Sequence, residues 1–218
     1  MATPDLQAWD NRFAQDAYIF GTSPNAFLVR SVGQLPKGGR VLAVADGEGR
    51  NGVWLAQQGF AVHAIDGSKV AVAKSMALAK ERGVTIVHSI GELTPGSIFH
   101  ECVDTDNWVW PTQAFDAVVG IFIQFTKPAA RESMFGKMIQ ALKTGGVLLL
   151  EGYHLRQPEY GTGGPAALDQ LYAVDLLATA FESLERLELR EYDQEVDEGD
   201  GHRGLSALVD FIGRARIS

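Results

Sequence analysis

The stretch VLAVADGEGRN (Val41 to Asn51), followed by AVHAID (Ala61 to Asp66), decides how this chain is read. An apolar run, Val41, Leu42 and Val44, meets a turn containing Gly47 and Gly49 and then a helix-forming segment. A second apolar run ends on Asp66. This strand–turn–helix–strand–acid order is that of a nucleotide-type cofactor site. Glycines let backbone approach the ligand, and an acid at the end of the second strand receives a pair of ribose hydroxyls.

Gly47, Gly49 and Gly52 also satisfy the dinucleotide spacing GxGxxG, so a nicotinamide cofactor is the first alternative. Charge argues against it. Asp46 and Glu48 lie in the turn where a pyrophosphate would pack, and each carboxylate opposes a phosphate anion by about 1 kcal/mol at 4 Å in water. S-adenosylmethionine carries an ammonium and a sulfonium instead, and acidic turn residues favour it. Arg50 offsets part of this charge locally. A plain structural turn that binds nothing is the third reading, disfavoured because turn and distal acid occur together.

From that turn outward the chain alternates apolar runs with helix-period segments, the pattern of a parallel sheet covered on both faces. Helices are expected at Asp5–Asp16, Asn25–Val32, Arg50–Gln58, Lys69–Arg82 and Pro128–Leu142, two of them stopping at Gly59 and Gly83. Strands are expected at Arg40–Ala45, Ala61–Asp66, Phe115–Ile123 and Val147–Leu150. The third strand is either Val84–Val87 or Phe99–Val103. Ser183–Tyr192 and Gly204–Ile212 read as an antiparallel pair joined by an acidic turn. The expected fold is α/β: a doubly wound, mostly parallel seven-stranded Rossmann-like sheet, helices on both faces, with an antiparallel C-terminal pair.

Length and charge narrow the function. At 218 residues the chain is expected to form one domain, 1–218, with a helical lid over 1–35 and a core over 36–218. A net charge of −8 opposes a phosphate-backbone partner, so no nucleic acid is expected. No apolar stretch has transmembrane length and the acidic start is unlike a signal peptide, so no membrane partner and a cytoplasmic location are expected. Cys102, the single cysteine, excludes an internal disulfide and a cysteine-built zinc site; no other metal spacing occurs, and no metal is expected. Oligomeric state cannot be read.

With these parts placed, the chain resembles the class I S-adenosylmethionine-dependent methyltransferases, especially small bacterial enzymes of the tellurite-resistance and thiopurine type. The resemblance rests on WDNRFAQDAYIFGTSPNAFL (Trp9 to Leu28), VLAVADGEGRN and AIDGS (Ala64 to Ser68). It continues in FDAVVGIFIQF (Phe115 to Phe125), LKTGGVLLLEGY (Leu142 to Tyr153), YGTGGP (Tyr160 to Pro165) and EGDGHRG (Glu198 to Gly204). One departure stands out: Ala43 and Ala45 occupy positions where the family turn usually has an acid and a glycine, which leaves Asp46 or Glu48 to hold the donor's amino group.

The resemblance implies S-adenosylmethionine as cofactor, with donor contacts from Arg12, Tyr18 and Gly21 in the N-terminal segment and from Ala45, Asp46, Gly47 and Glu48 in the turn. Asp66, Gly67 and Ser68 would hold the ribose, Asp104 and Thr105 the adenine neighbourhood, and Ile121 the wall beside it. Arg12 would pair with the donor's carboxylate, and aromatic residues nearby would exclude water. Gln124, after a run of mostly apolar positions, lines the reaction pocket or braces the following loop. Tyr153 and His154 follow the fifth strand on the same sheet edge and are acceptor-pocket candidates, as are Gln157, Tyr160 and His202. Gly52 is expected to let the helix pack on the sheet. No catalytic base is assigned. The function expected is methyl transfer to a small-molecule acceptor, a soft sulfur, selenium or tellurium nucleophile suiting a site without a base. The alternatives are a nicotinamide-dependent oxidoreductase and a silent donor-binding module.

Overall fold

In the computed structural model, which describes residues 6–199 and 201–217, eight strands form one sheet. They are β1 (Arg40–Val44), β2 (Ala61–Asp66), β3 (Thr85–Val87), β4 (Ser97–Cys102), β5 (Phe115–Ile121), β6 (Leu142–Tyr153), β7 (Glu185–Asp197) and β8 (Arg203–Arg214). Their order is β3-β4-β2-β1-β5-β6-β8-β7. The first six pair in parallel; β8 runs antiparallel to both β6 and β7. The chain builds outward from β1 on one side and then restarts at β5 on the other. That reversal leaves a crevice at the strands' C-terminal ends, where open parallel sheets take ligands.

Alternation along β1 explains the two-faced core. Val41 and Ala43 pack with Leu28, Val53, Leu55 and Leu78 on one face, below α2 (Ala26–Ser31), α3 (Arg50–Gln57) and α4 (Lys69–Glu81). Leu42 and Val44 point the other way, to Met134, Phe135 and Met138 of α5 (Pro128–Ala141) and Leu177 of α6 (Val174–Ala180). Both faces of β1 are dry, hence its unbroken apolar run. Two helix starts follow their expected chemistry: Asn25 accepts from the Leu28 N–H at 2.9 Å, and Ser68 Oγ from the Ala71 N–H at 3.1 Å.

The structure departs from expectation in four places. Both candidates for the third strand are strands, so the sheet has eight members; β3 is short and pairs only with β4. β6 begins at Leu142, because the turn at Gly145 and Gly146 lets Leu142 pair with Phe115 before the register shifts. α1 covers Leu6–Phe13, shorter than expected, and Asp5 lies outside the described residues. Asp193–Asp197, expected within the acidic turn between the last two strands, extends β7. Asp200, at the end of that run, lies outside the described residues. Among the described residues no helix is long and apolar enough to cross a membrane.

Candidate functional site

A cavity of about 420 Å³ opens at the C-terminal ends of β1, β2, β4 and β5, a size ordinary for a cofactor or substrate site. Ala45, Asp46 and Gly47 supply part of its wall, Asp66, Gly67 and Ser68 another part, and Asp104, Thr105 and Ile121 a third. Arg12, with Trp9, Phe13 and Phe20, lines it from the N-terminal segment; Gln124 and Tyr153 line it from the ends of β5 and β6.

The turn after β1 is tightly prescribed. Ala45 has φ 49°, Gly47 57° and Gly49 90°, so three of five residues occupy left-handed backbone. For alanine such a conformation costs about 1–2 kcal/mol. At Gly47 a Cβ would meet nothing nearer than Phe13 Cζ at 3.8 Å, leaving backbone open to a ligand. Gly49 has a different reason: its Cβ would lie 2.0 Å from Ser75 Oγ, so it serves the contact of α3 with α4 rather than the cavity. At Gly52 a Cβ would fall 2.4 Å from Asp46 Oδ2, and the Gly52 N–H donates to Asp46 Oδ1 at 3.0 Å. Gly52 therefore makes room for a carboxylate as well as for Ala64 of the sheet.

Two carboxylates border the cavity from this turn. Asp66 accepts from the Gly47 N–H and the Ser68 N–H, both at 2.8 Å. Burial nevertheless raises its pKa, more than those two N–H groups lower it. Asp46 is pushed up to about 7, chiefly by burial, with Asp66 adding to the shift and the Gly52 N–H and Arg50 opposing it. Desolvated acids of this kind favour a cation beside them.

Glu48 is turned out of the cavity. It is 3% exposed, pairs with Lys74 at 2.5 Å and accepts from the Ile19 N–H at 2.8 Å. Lys74 Nζ also donates to the carbonyls of Phe13, Gln15 and Ala17 at 3.4, 2.9 and 2.7 Å. Together they fasten the chain that follows α1. Tyr18 belongs to this fastening, its hydroxyl donating to the Lys74 carbonyl at 3.1 Å, and does not line the cavity. Gly21 lies outside too, against Gly199. His154 is likewise outside, its Nε2 2.9 Å from Glu191. Gln157 and Tyr160 do not line the cavity either; sequence order cannot reveal where a residue faces, and at these positions expectation and cavity differ.

Gln124 lines the cavity, yet its amide is spent on bracing: Nε2 donates to the carbonyls of Tyr153 at 2.8 Å and Gln170 at 3.2 Å, and Oε1 accepts from the Tyr153 N–H at 2.5 Å. Tyr153 carries its hydroxyl to His202 Nδ1 at 2.6 Å. Phe122, Arg50 and Gln170 also line the cavity and went unassigned. Phe122 sits at φ 55° at the end of β5, a strained conformation for a large side chain. His63 pairs with Glu101 of the neighbouring strand at 2.8 Å and stacks on Phe99, away from the cavity.

Residues 41–146 match the family model described as a methyltransferase domain. The chain carries a methyltransferase domain. Its overall fold agrees. The Haemophilus influenzae TehB structure superposes with a TM-score of 0.69 at 17% identity, covering 95% of this chain and 66% of that one. The N-methyltransferase NodS from Bradyrhizobium japonicum, in complex with S-adenosyl-L-homocysteine, gives 0.66 at 15% identity, covering 97% and 98%. A structure described under the conversion of a disulfide bond into a thioacetal group during echinomycin biosynthesis gives 0.72 at 16%, covering 97% and 92%. No curated protein matches the sequence. S-adenosylmethionine is the methyl donor of this domain class, and the cavity fits it. Glycine backbone is open at Gly47, Asp66 stands at the end of β2, and the wall beside the turn carries the carboxyl groups of Asp46 and Asp66. A dinucleotide fits less well, because the Gly52 N–H of the α3 N-terminus, which a pyrophosphate would use, is occupied by Asp46.

Proposed function

We propose that this protein transfers the methyl group of S-adenosylmethionine to a small-molecule acceptor. The observation that carries the reading is the pairing of Asp66 with the Gly47 turn, through a 2.8 Å hydrogen bond, at the mouth of a cavity that also holds Asp46. When bound, the donor supplies a methyl group made electrophilic by its sulfonium. In this reading Asp66 receives the ribose hydroxyls, Asp46 faces the ammonium, Arg12 pairs with the donor's carboxylate, and Asp104 and Thr105 border the adenine. Trp9, Phe13 and Phe20 exclude water, which strengthens each of these interactions. Alignment of the acceptor is the main remaining contribution, worth about 7–11 kcal/mol in well-oriented reactions.

The chain is read as one domain, the segment from Leu6 to Phe20 roofing the cavity. A net charge of −8 supports a small molecule over a nucleic acid or an anionic membrane surface. An exposed, unpaired Cys102 suits a reducing compartment and so the cytoplasm. The neighbours' own chemistry spans nitrogen and sulfur, so the fold alone does not choose the acceptor atom. Thermal denaturation with S-adenosylhomocysteine, NAD or NADP tests the proposal: only the first should raise the melting temperature. Stabilisation by a dinucleotide alone would replace this reading with an oxidoreductase. Donor binding without transfer to any of a broad acceptor panel would leave a silent module.

A further inference from the structure

Beside the residues assigned to the donor, the cavity is lined by His202 and Phe122, to which that reading gives no role. His202 lies between two rings, its centroid 4.5 Å from Phe20 and 4.2 Å from Phe122, both stacked. The guanidinium of Arg12 lies 5.2 Å from the Phe20 centroid. Two backbone features serve this stack. Phe122 joins it at φ 55°, in left-handed backbone. Gly201 lets the β7–β8 hairpin bring His202 in, since a Cβ there would sit 2.3 Å from the Phe20 ring.

The proton positions follow from the neighbours. Tyr153 is kept protonated by burial and by the carboxylates of Glu198 and Glu151, which raise its pKa. Its O–H therefore donates to His202 Nδ1 across 2.6 Å. The proton of the neutral ring then resides on Nε2, which has no partner among the described residues, while His202 lines the cavity. Burial, then Arg50 and Arg12, push the imidazole down to about 3, so at neutral pH it is uncharged and a poor base. Glu198, 2.7 Å from Arg50, offsets part of that positive field. Phe125 and Pro165 complete apolar walls nearby.

We propose that His202, fixed by Tyr153 and clamped between Phe20 and Phe122, donates an Nε2–H hydrogen bond to a flat aromatic acceptor that reacts as its anion. This rests on the methyltransferase reading. The acceptor's lone pair forms the new bond to the methyl carbon, the carbon–sulfur bond breaks with its electron pair left on sulfur, and no proton passes to the enzyme. No base is then required: Tyr153 is committed to His202, and the carboxylates of the wall are held by donors of their own, Asp46 by the Gly52 N–H, Asp66 by those of Gly47 and Ser68, and Asp104 by Asp106 and Asn107.

4-Nitrophenol is a suitable probe, because its absorbance reports its ionisation. Titrated against the protein saturated with S-adenosylhomocysteine, it should bind with an apparent pKa lowered by about one unit or more. His202→Phe keeps a ring in the stack but loses the N–H; it should abolish the shift and weaken phenolate binding about tenfold, the loss expected for one charge-assisted hydrogen bond. 4-Nitroanisole, which cannot ionise, should bind both proteins alike. Tyr153→Phe, a second variant, should reduce the shift without removing the stack. The proposal is overturned if the probe binds as the neutral phenol, if His202→Phe shifts it equally, or if the complex binds no 4-nitrophenol at millimolar concentration. S-adenosylhomocysteine affinity, measured on the same samples, separates the two readings. Its loss in the parent protein sinks the methyltransferase proposal, whereas normal affinity with an unshifted probe sinks only this one.

Discussion

Asp66→Ala tests the donor site most directly. In the free protein the carboxylate accepts two backbone hydrogen bonds at 2.8 Å, from Gly47 and Ser68. Hydrogen bonds to charged groups contribute about 1.5–3 kcal/mol each. Burial already raises the pKa of Asp66, so part of that gain offsets desolvation, and water at the cavity wall can satisfy the two freed N–H groups. A loss of about 1–2 kcal/mol in folding stability is therefore expected, read from the midpoint of urea denaturation. Donor binding loses the two ribose contacts as well, about 2–3 kcal/mol, or roughly 30- to 150-fold in affinity. Titration calorimetry with S-adenosylhomocysteine measures this on the folded variant. Asp66→Asn, which keeps one acceptor oxygen, should fall between parent and alanine. A folded Asp66→Ala protein with parental affinity would refute the assignment of this carboxylate to the ribose, and with it the observation that carries the functional reading.

Two further outcomes follow from charge. Asp46 is raised from 3.8 to about 7 in the folded protein, so the folded state holds the proton more tightly and stability falls as pH rises through that window. The stability advantage of Asp46→Asn over the parent should therefore grow from near pH 4 to about pH 7 and stay level above it; an advantage that does not change with pH contradicts the shift. Lys74→Met leaves Glu48 buried without its cation and should cost about 3 kcal/mol, measured by chemical denaturation. Adding Glu48→Gln should recover a good part of that loss, and a double variant no more stable than the single one would remove the pair from the account.

Much of the core was legible because its local signals agree. β1, α3, β2 and α4 lie within a residue or so of expectation, since apolar runs with dry faces end at glycines whose backbone stops the helices. β3 and β4 were harder: Thr85–Val87 is a short, partly exposed edge, and its apolar content alone could not exclude Ser97–Cys102. Within the site, Asp66 and Gly47 were readable from position on the strand. Glu48 was not, because its partner Lys74 lies on another helix and no local spacing links them. His202 is reached through a hairpin whose tip returns to Ile19, the Gly201 N–H donating to that carbonyl at 3.0 Å. A contact between residues so far apart leaves no mark on either segment except glycine itself.

That closure by distant segments has a consequence for synthesis. Glu198 holds Arg50 at 2.7 Å and the Ala26 N–H at 3.1 Å, and Gly201 meets Ile19. A nascent polypeptide can complete β1, β2 and β5 while these last partners are still inside the ribosome. Its ligand chamber then lacks one side, and β6 awaits the strand β8 that will cover its edge. Competence to retain a bound molecule is thus acquired only once β8 and its hairpin have joined the sheet, so chains cut before Glu198 should keep most of their sheet and none of their grip.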